Sequence, residues 1–182
     1  LGFEMLAADF DLARLHRAPA HFDEQHLLHW QREAVLATDP AGLWAWMAGE
    51  VGTRVPSTDW QGFVEAVRGN VLFPPDARHW AEHIYAAALT PTHAAEEVAR
   101  TAGEEFFDIA HRALERHGTD FKALADMVKV DTGLAGKALF RPLRAALTGE
   151  LDGPEMAKLL PLIGVERARE RLQRAGKAAI GD

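Results

Sequence analysis

Signals that start α-helices recur along the whole chain, whereas patterns typical of β-strands are nearly missing. The 182 residues include one Tyr, and no alternation of apolar and polar residues extends beyond about four positions. Capping residues or first-turn prolines precede periodic apolar segments at Asp23, Asp39-Pro40, Ser57-Thr58-Asp59, Pro74-Pro75-Asp76 and Thr90-Pro91-Thr92. These signals predict an all-α fold, an irregular bundle of about nine or ten short helices.

The same signals predict where the helices lie. We expect helices over 23–37, from 39 onwards, over 57–68 and over 74–88, then a long helix over 90–116 and a short one over 120–129. Three final helices should cover about 135–147, 154–163 and 165–177. Pro142 removes a backbone donor inside the first of these three, which predicts a kink or a helix start there. The best boundary, at 88–91, divides two packed sub-bundles over 39–89 and 90–182.

Charge is distributed unevenly along the chain. The net charge is −7, which argues against a general nucleic-acid binder. Residues 1–130 hold 11 Lys and Arg against 20 Asp and Glu, whereas residues 131–182 hold 9 against 7. An acidic body with a local basic patch can still position a polyanion through a few phosphate contacts. A solvated charged face is the alternative interpretation.

Composition also bears on where the protein works. Cysteine is absent, so disulfides, thiolate metal ligands and a cysteine nucleophile are excluded, which suits a cytoplasmic protein. No apolar run approaches the ~18 to 20 residues that cross a bilayer, so we expect no membrane association. The chain opens at Leu1 within an amphipathic pattern formed by Phe3, Met5, Leu6 and Phe10, which suggests a piece of a longer protein.

Residues 136–156 combine a core face, a basic face and a loop. On a helix, Leu139, Leu143, Ala146 and Leu147 fall at spacings of one turn. A second face repeats the same spacing with the cations Lys137, Arg141 and Arg144. The pattern predicts a packed helix with a cationic stripe, followed by turns at Gly149 and Gly153. This combination suggests that the segment binds RNA.

The segment Pro142-Leu-Arg-Ala-Ala-Leu-Thr-Gly149 and the following Gly153-Pro154 resemble, nearly residue for residue, a signature in the anticodon-binding part of bacterial glutamyl-tRNA synthetases. Upstream, residues 10–23 and Leu28-His29-Trp30 look like the family's segment just after the catalytic domain, so the resemblance covers essentially the whole chain. It implies that residues 1–38 are the tail of a stem-contact region. It also implies that the two sub-bundles over 39–89 and 90–182 bind the anticodon.

The resemblance implies a set of anticodon contacts. Arg144 and Met156 match family residues near the first anticodon base, and the loop of Gly153 and Pro154 matches one near the second. Chemically, Arg144 can bind a base edge or phosphate, and Met156 can pack on a base face. Some family members carry a hydroxyl residue where Gly153 offers only backbone groups. The alternative is a purely structural role, with a local salt bridge at Arg144 and a turn without RNA contact at Gly153.

A loop in the first sub-bundle is expected near the third base. Some family members place there an arginine that helps to reject glutamine tRNA, and a gapless register puts Asn70 at that position. Asn70 can hydrogen-bond a base but carries no charge, so Arg68 could serve instead. Whether glutamine tRNA is also accepted stays open.

Further cations on the last helix are candidate phosphate contacts. Arg167, Arg171 and Arg174 share one side of it, and together with Lys137 and Arg141 they could touch the tRNA backbone. Pairing with Glu166 and Glu170 at spacings of one turn is the equally weighted alternative.

Other motifs carry little functional weight. His79-Trp80-Ala81-Glu82-His83 matches the H-x-x-E-H string of inverted zinc peptidases, but such enzymes need a third ligand in a larger catalytic domain, so no metal is expected. The five tryptophans, at positions 30, 44, 46, 60 and 80, should pack between helices because each falls in an apolar helical pattern. The family's "HIGH"-type and "KMSKS"-type catalytic signatures do not occur, so no residue of this chain is expected to be catalytic.

The resemblance therefore implies the tRNA anticodon-recognition region of an ATP-dependent glutamate-tRNA ligase. This chain should be inactive alone and need no cofactor, whereas ATP and magnesium belong to the catalytic domain of the parent. Its expected partners are glutamate tRNA and that catalytic domain, and we expect a monomer. The alternative is a helical protein-interaction or scaffolding module, in which Lys137, Arg141 and Arg144 would pair with carboxylates.

Overall fold

The computed structural model describes residue 4, residues 7–8 and 10–11, and the stretch 23–179. These residues contain no strand, which confirms the predicted all-α fold. Ten α-helices lie between residues 24 and 179: α1 (Glu24–Ala37), α2 (Pro40–Val51), α3 (Trp60–Val67), α4 (Pro74–Tyr85), α5 (His93–Ala102), α6 (Glu104–His117), α7 (Phe121–Thr132), α8 (Lys137–Thr148), α9 (Met156–Ile163) and α10 (Val165–Ala179). Short 3-10 helices cover Gly52–Arg54 and Arg68–Asn70. Over the described residues, no helix is long and apolar enough to span a membrane.

Three helices begin at an aspartate that caps them. The side chains of Asp23, Asp39 and Asp120 each accept a hydrogen bond from the backbone N–H three residues on, at 3.2, 3.0 and 3.0 Å. Each bond satisfies a donor that has no partner inside its own helix. The predicted starts of α1 and α2 are thereby confirmed.

The predicted long helix over 90–116 is wrong, because two helices occupy that segment. Thr92 caps α5 through its hydroxyl, which accepts from the N–H of Ala95 at 3.3 Å. Gly103 then separates α5 from α6 with φ of 82°, a conformation outside the helical region that glycine adopts readily. The periodic apolar pattern runs through this break, which is why it suggested one helix.

Pro142 does not start a helix, since α8 begins at Lys137 and continues through it. Proline removes the N–H that would bond to the carbonyl of Ala138 four residues earlier. Ala138 is exposed, so water can reach that carbonyl. The proline ring itself is buried with the apolar face of α8, and this packing offsets the lost hydrogen bond.

One continuous hydrophobic core joins the helices on both sides of the predicted boundary at 88–91. Helix α4 packs on α2, while α10 packs on α5, α6 and α8. Helix α9 contacts α3 and α4 as well as α7 and α10, so it lies between the two groups. The division into sub-bundles over 39–89 and 90–182 stays a prediction.

Only part of the tryptophan prediction holds. Trp80 is buried, and Trp44 and Trp60 pack against the core with ring centroids 6.2 Å apart. Trp30 on α1 and Trp46 on α2 are 60% and 38% exposed, so the packing prediction is wrong for them. Part of the stem-contact prediction, including the amphipathic pattern at Phe3, Met5 and Leu6 and the matched segment 12–22, lies outside the described residues.

Candidate nucleic-acid interface

Helix α8 has the two faces that its sequence predicts. Leu139, Leu143 and Leu147 are at most 1% exposed, which confirms the predicted core face. Lys137 and Arg141 are exposed on the other side, and neither lies within 4.0 Å of a carboxylate in the part of the chain that the structure describes. The basic face is therefore a pair of free surface cations rather than a set of ion pairs.

Arg144 completes the predicted basic stripe but is half-buried. Burial lowers the pKa of Arg144, and the negative charge of Asp152 opposes that shift. Its Nη1 group is buried and makes no hydrogen bond among the described residues. An unpartnered buried donor on a charged group is unfavourable and uncommon, so a hydrogen-bond acceptor brought to this guanidinium would stabilise it.

The C-terminal end of α8 turns sharply at Thr148 and Gly149. The buried Thr148 hydroxyl donates to the carbonyl of Arg144 at 2.8 Å. Gly149 adopts φ of 74°, and a Cβ there would lie 3.1 Å from Cα of Pro91. Its carbonyl accepts from the N–H of Thr92 at 2.9 Å. The Leu-Thr-Gly string is thus explained by one core side chain, one buried hydroxyl and one left-handed turn.

The loop after α8 is held against α4 at Gly153. This glycine has φ of 137°, and a Cβ would lie 2.1 Å from Cη2 of Trp80. Pro154, the next residue, is buried. Contact with a base remains a prediction for both residues, but the structure shows that tight packing on the indole already requires a glycine here.

Met156 begins α9 and is 5% exposed within the hydrophobic core. Its side chain is therefore not presented on the surface for a base to pack on. The apolar character that suggested stacking instead serves the attachment of α9 to the core. A contact with a base would require the loop to move.

Arg171 was a candidate phosphate contact, and that expectation is wrong. Its side chain is 3% exposed, and its guanidinium donates to the carbonyls of Leu147 at 2.7 Å, Ile84 at 3.1 Å and Ala86 at 2.9 Å. The carbonyls of Leu147 and Ile84 belong to the last turns of α8 and α4, and Ala86 directly follows α4. At helix C-termini such acceptors lack helical partners and the helix dipole is negative. Burial, followed by Arg167 and Arg174, lowers the pKa of Arg171 to about 10.

The other two arginines of α10 differ from each other. Arg167 donates to the carbonyl of Leu162 at 3.0 Å, and its guanidinium lies 5.6 Å from the ring centroid of Tyr85. Arg174 is exposed and stays a candidate for a phosphate contact. The three arginines therefore do not form one RNA-facing stripe.

In the first sub-bundle, Arg68 is committed to the end of α1. Its guanidinium donates to the carbonyls of Leu36 at 2.6 Å and Thr38 at 3.0 Å, and it pairs with Glu65 at 3.1 Å. Because these bonds occupy the guanidinium, we expect that Arg68 does not contact a base. Asn70 is exposed and stays the candidate for a third-base contact.

The sequence did not indicate that Glu150 approaches the histidines of α4. Its Oε1 lies 3.7 Å from Nε2 of His79 and 3.6 Å from Nε2 of His83. The two imidazole centroids are 4.1 Å apart. Burial and then the neighbouring His83 lower the pKa of His79, and Glu150 opposes that shift. The H-x-x-E-H string marked the two histidines, but their third neighbour comes from the loop after α8.

The C-terminal half of the chain matches a known domain family. A model of the anticodon binding domain family matches residues 93–176. That range begins at the start of α5 and includes Arg144, Gly153 and most of α10.

Similar proteins cover nearly the whole chain. It is 51% identical over 173 residues to glutamate-tRNA ligase 2 of Nitrosococcus oceani and 46% identical over 174 residues to glutamate-tRNA ligase 1 of Halorhodospira halophila. These matches span 95% and 96% of this chain but 37% and 36% of the relatives.

The fold has a solved counterpart. A crystal structure of a glutamate tRNA ligase from Elizabethkingia meningosepticum superposes with a TM-score of 0.77 at 18% identity, over 97% of this chain and 37% of that protein. At this identity the likeness concerns the fold. The domain match and the sequence relatives together show that the chain is similar to the C-terminal part of glutamate-tRNA ligases, with an anticodon-binding domain match over residues 93–176.

Proposed function

We propose that this chain binds the anticodon arm of glutamate tRNA and reads its bases. The observation that carries the proposal is the guanidinium of Arg144, which is half-buried beside the loop 149–154 and has no acceptor for its buried Nη1 among the described residues. Nη1 itself is buried, so an RNA base or phosphate would bind the accessible part of this half-buried group and bring an acceptor beside it. Lys137 and Arg141 add two exposed cations on the same helix.

Anticodon reading suits helix ends and loops. Bases within helical RNA hide most of their identity, so a protein reads single-stranded bases that are splayed out. Arg144 would bind the first base, the backbone of Gly153 and Pro154 would approach the second, and Asn70 would contact the third. Met156 would support this surface from the core. Lys137, Arg141 and Arg174 would hold phosphates, which position the RNA without reading sequence.

The whole protein would attach glutamate to its tRNA using ATP and magnesium, held in a catalytic part that lies outside the matched region. The chain would orient the acceptor end of the tRNA towards that distant site, so that anticodon identity is converted into reaction rate. We expect a monomeric cytoplasmic enzyme. The free state of Lys137, Arg141 and Arg144 favours RNA over the scaffolding alternative, which required these cations to pair with carboxylates.

The test is a titration of the 182-residue chain with a glutamate-tRNA anticodon stem-loop and with versions changed at each anticodon base, at two salt concentrations. Each wrong base should weaken binding by about 1 kcal/mol or more. The log-log salt slope should be about −2 to −4, as expected for a few phosphate contacts. Full-length tRNA should show the same base preferences.

Three variants sharpen the result. Arg144→Met should remove the preference at the first base, whereas Arg141→Ala should weaken all RNAs equally and make the salt slope shallower by about 1. Arg112→Ala, an exposed arginine on α6, is the matched control and should change neither quantity. Binding that ignores the anticodon sequence, with the stem-loop and with full-length tRNA, would reject the proposal.

A further inference from the structure

Three potential metal ligands from two distant segments converge beside Trp80. His79 and His83 lie one turn apart on α4, and Glu150 comes from the loop after α8. Their nearest ligand atoms, one from each residue, all lie within 4.8 Å of one another. Among the residues that the structure describes, no other group of three His, Asp or Glu side chains has this arrangement.

The hydrogen bond of His83 settles which of its nitrogens is free. Nδ1 of His83 lies 2.8 Å from the carbonyl oxygen of His79. A carbonyl only accepts, so Nδ1 carries the proton and, in the neutral ring, Nε2 keeps its lone pair. Metal-binding histidines are usually oriented by this type of bond to a carbonyl oxygen.

The three ligand atoms lie close enough together for one ion. Nε2 of His83 lies 3.6 Å from Oε1 of Glu150, and Nε2 of His79 lies 3.7 Å from the same oxygen. One ligand atom from each of the three residues falls within 4.8 Å of the other two. In tetrahedral coordination with bonds of about 2.0 to 2.1 Å, ligand atoms lie roughly 3.3 Å apart, so the two nitrogen–oxygen distances would need to shorten only slightly.

We propose that His79, His83 and Glu150 form a binding site for a divalent transition-metal ion of the zinc type. Two imidazoles and one carboxylate are ligands that suit Zn²⁺, whereas Mg²⁺ and Ca²⁺ prefer oxygen ligands alone. The side chain of His79 is 46% exposed, so an ion can enter from solvent and water can occupy the fourth position.

The site is not that of an inverted zinc peptidase. In those enzymes the glutamate of the H-x-x-E-H string is the general base, whereas here the carboxylate of Glu82 pairs with Arg54 at 3.3 Å. We therefore assign the metal a structural role.

The metal would fasten the loop after α8 to α4. Glu150 follows the left-handed turn at Gly149, and three residues later Gly153 packs on Trp80, the neighbour of His79. Coordination at Glu150 would thus hold the start of the loop, and the indole contact its end. If the proposed anticodon reading is right, the metal positions the loop that reads the second base, but metal binding itself does not depend on that function.

Metal binding is tested directly on the 182-residue chain, after treatment with chelator and dialysis. Zn²⁺ titrated against a chromophoric chelator should bind one ion per chain, and Co²⁺ should give the intense visible absorption of tetrahedral coordination. Glu150→Gln and His83→Ala should each weaken Zn²⁺ by more than the roughly 10- to 100-fold lost when an outer-shell partner is removed. Zn²⁺ should also raise the thermal midpoint of the parent chain but not that of Glu150→Gln.

His111→Ala is the matched control. His111 lies one turn from Glu115, with Nδ1 4.0 Å from its carboxylate, but among the described residues it belongs to no group of three potential ligands. This variant should bind Zn²⁺ like the parent chain. Glu150→Gln keeps the shape of the side chain, and circular dichroism verifies that each variant is folded.

Two results would overturn the metal site: no binding by the parent chain above a tenfold molar excess of Zn²⁺, or equal binding by Glu150→Gln and the parent. RNA titration with and without Zn²⁺ is a separate measurement. A chain that binds the metal but ignores the anticodon would refute the proposed function and leave the metal site standing.

Discussion

The indole of Trp80 fills the space that a side chain at Gly153 would need, since a Cβ there would lie 2.1 Å from Cη2 of the ring. Trp80 is 7% exposed and belongs to the core, so it cannot swing aside without opening the packing of α4. The conformation of the loop 149–154 is therefore coupled to the position of α4, since Trp80 lies 73 residues before Gly153 in the chain.

Gly153→Ala should destabilise the protein. Overpacking of this kind typically costs about 1 to 3 kcal/mol, and the positive φ of residue 153 adds backbone strain. Urea unfolding followed by tryptophan fluorescence measures the change. Gly49→Ala on α2, where a Cβ meets nothing within 4 Å, is the control and should stabilise the protein by about 0.5 to 1 kcal/mol. Equal unfolding midpoints for the two variants would contradict the packing argument.

Replacing Arg171 should be strongly destabilising. Arg171→Met keeps an unbranched side chain but leaves the carbonyls of Leu147, Ile84 and Ala86 without their donor. A loss of about 2 to 4 kcal/mol in unfolding free energy is expected, because several buried acceptors lose their partner together. Arg174→Met, on the same helix but exposed, should change stability by less than about 0.5 kcal/mol. A small effect at residue 171 would mean that water replaces the guanidinium.

Unlike Arg171→Met, Arg144→Met should not lower the free energy of unfolding in the absence of RNA. The buried Nη1 of Arg144 has no acceptor among the described residues, so its removal relieves an unsatisfied donor. We expect unfolding free energy to stay level or to rise by about 1 kcal/mol. The same substitution should weaken RNA binding, a gain in stability at the expense of function. Clear destabilisation of the RNA-free chain would show that Arg144 is structural.

Substitutions at Arg68 and Asn70 should affect different properties, the stability of the fold at Arg68 and the recognition of a base at Asn70. Arg68→Ala removes the donor that closes the C-terminal end of α1 and should cost about 1 to 2 kcal/mol, with base preference unchanged. Asn70→Ala should leave stability within about 0.5 kcal/mol and alter discrimination at the third anticodon base. Parallel unfolding and stem-loop titrations measure both. If Arg68→Ala alone changed base preference, the two assignments would be reversed.

Local sequence determined most of the helix boundaries. Capping residues such as Asp23, Asp39 and Asp120 bind N–H groups three residues away, and the apolar spacing of Leu139, Leu143 and Leu147 selects the buried face of α8. These relationships span less than three helical turns, so the residues that decide them are neighbours in the chain. The same holds for the turn at Gly149, where a left-handed conformation favours glycine.

The roles of the arginines were decided by tertiary structure. Four arginines lie on or next to helices: Arg68, Arg167, Arg171 and Arg174. Arg174 is exposed, whereas the other three donate to carbonyls near the ends of other helices. Nothing in the immediate sequence of these residues distinguishes the two cases. Arg171 meets Leu147 and Ile84 across 24 and 87 residues. Charge patterning therefore overestimated the surface available for RNA.

Sequence alone thus determined the all-α class, the buried face of α8 and the family resemblance, because each depends on residues close together in the chain. Tertiary packing alone decided which cations have no protein partner, that Gly153 packs on the indole of Trp80, and that Glu150 lies beside His79 and His83. Such juxtapositions depend on how the helix ends meet in space, and no periodicity or capping signal encodes contacts between segments about 70 residues apart.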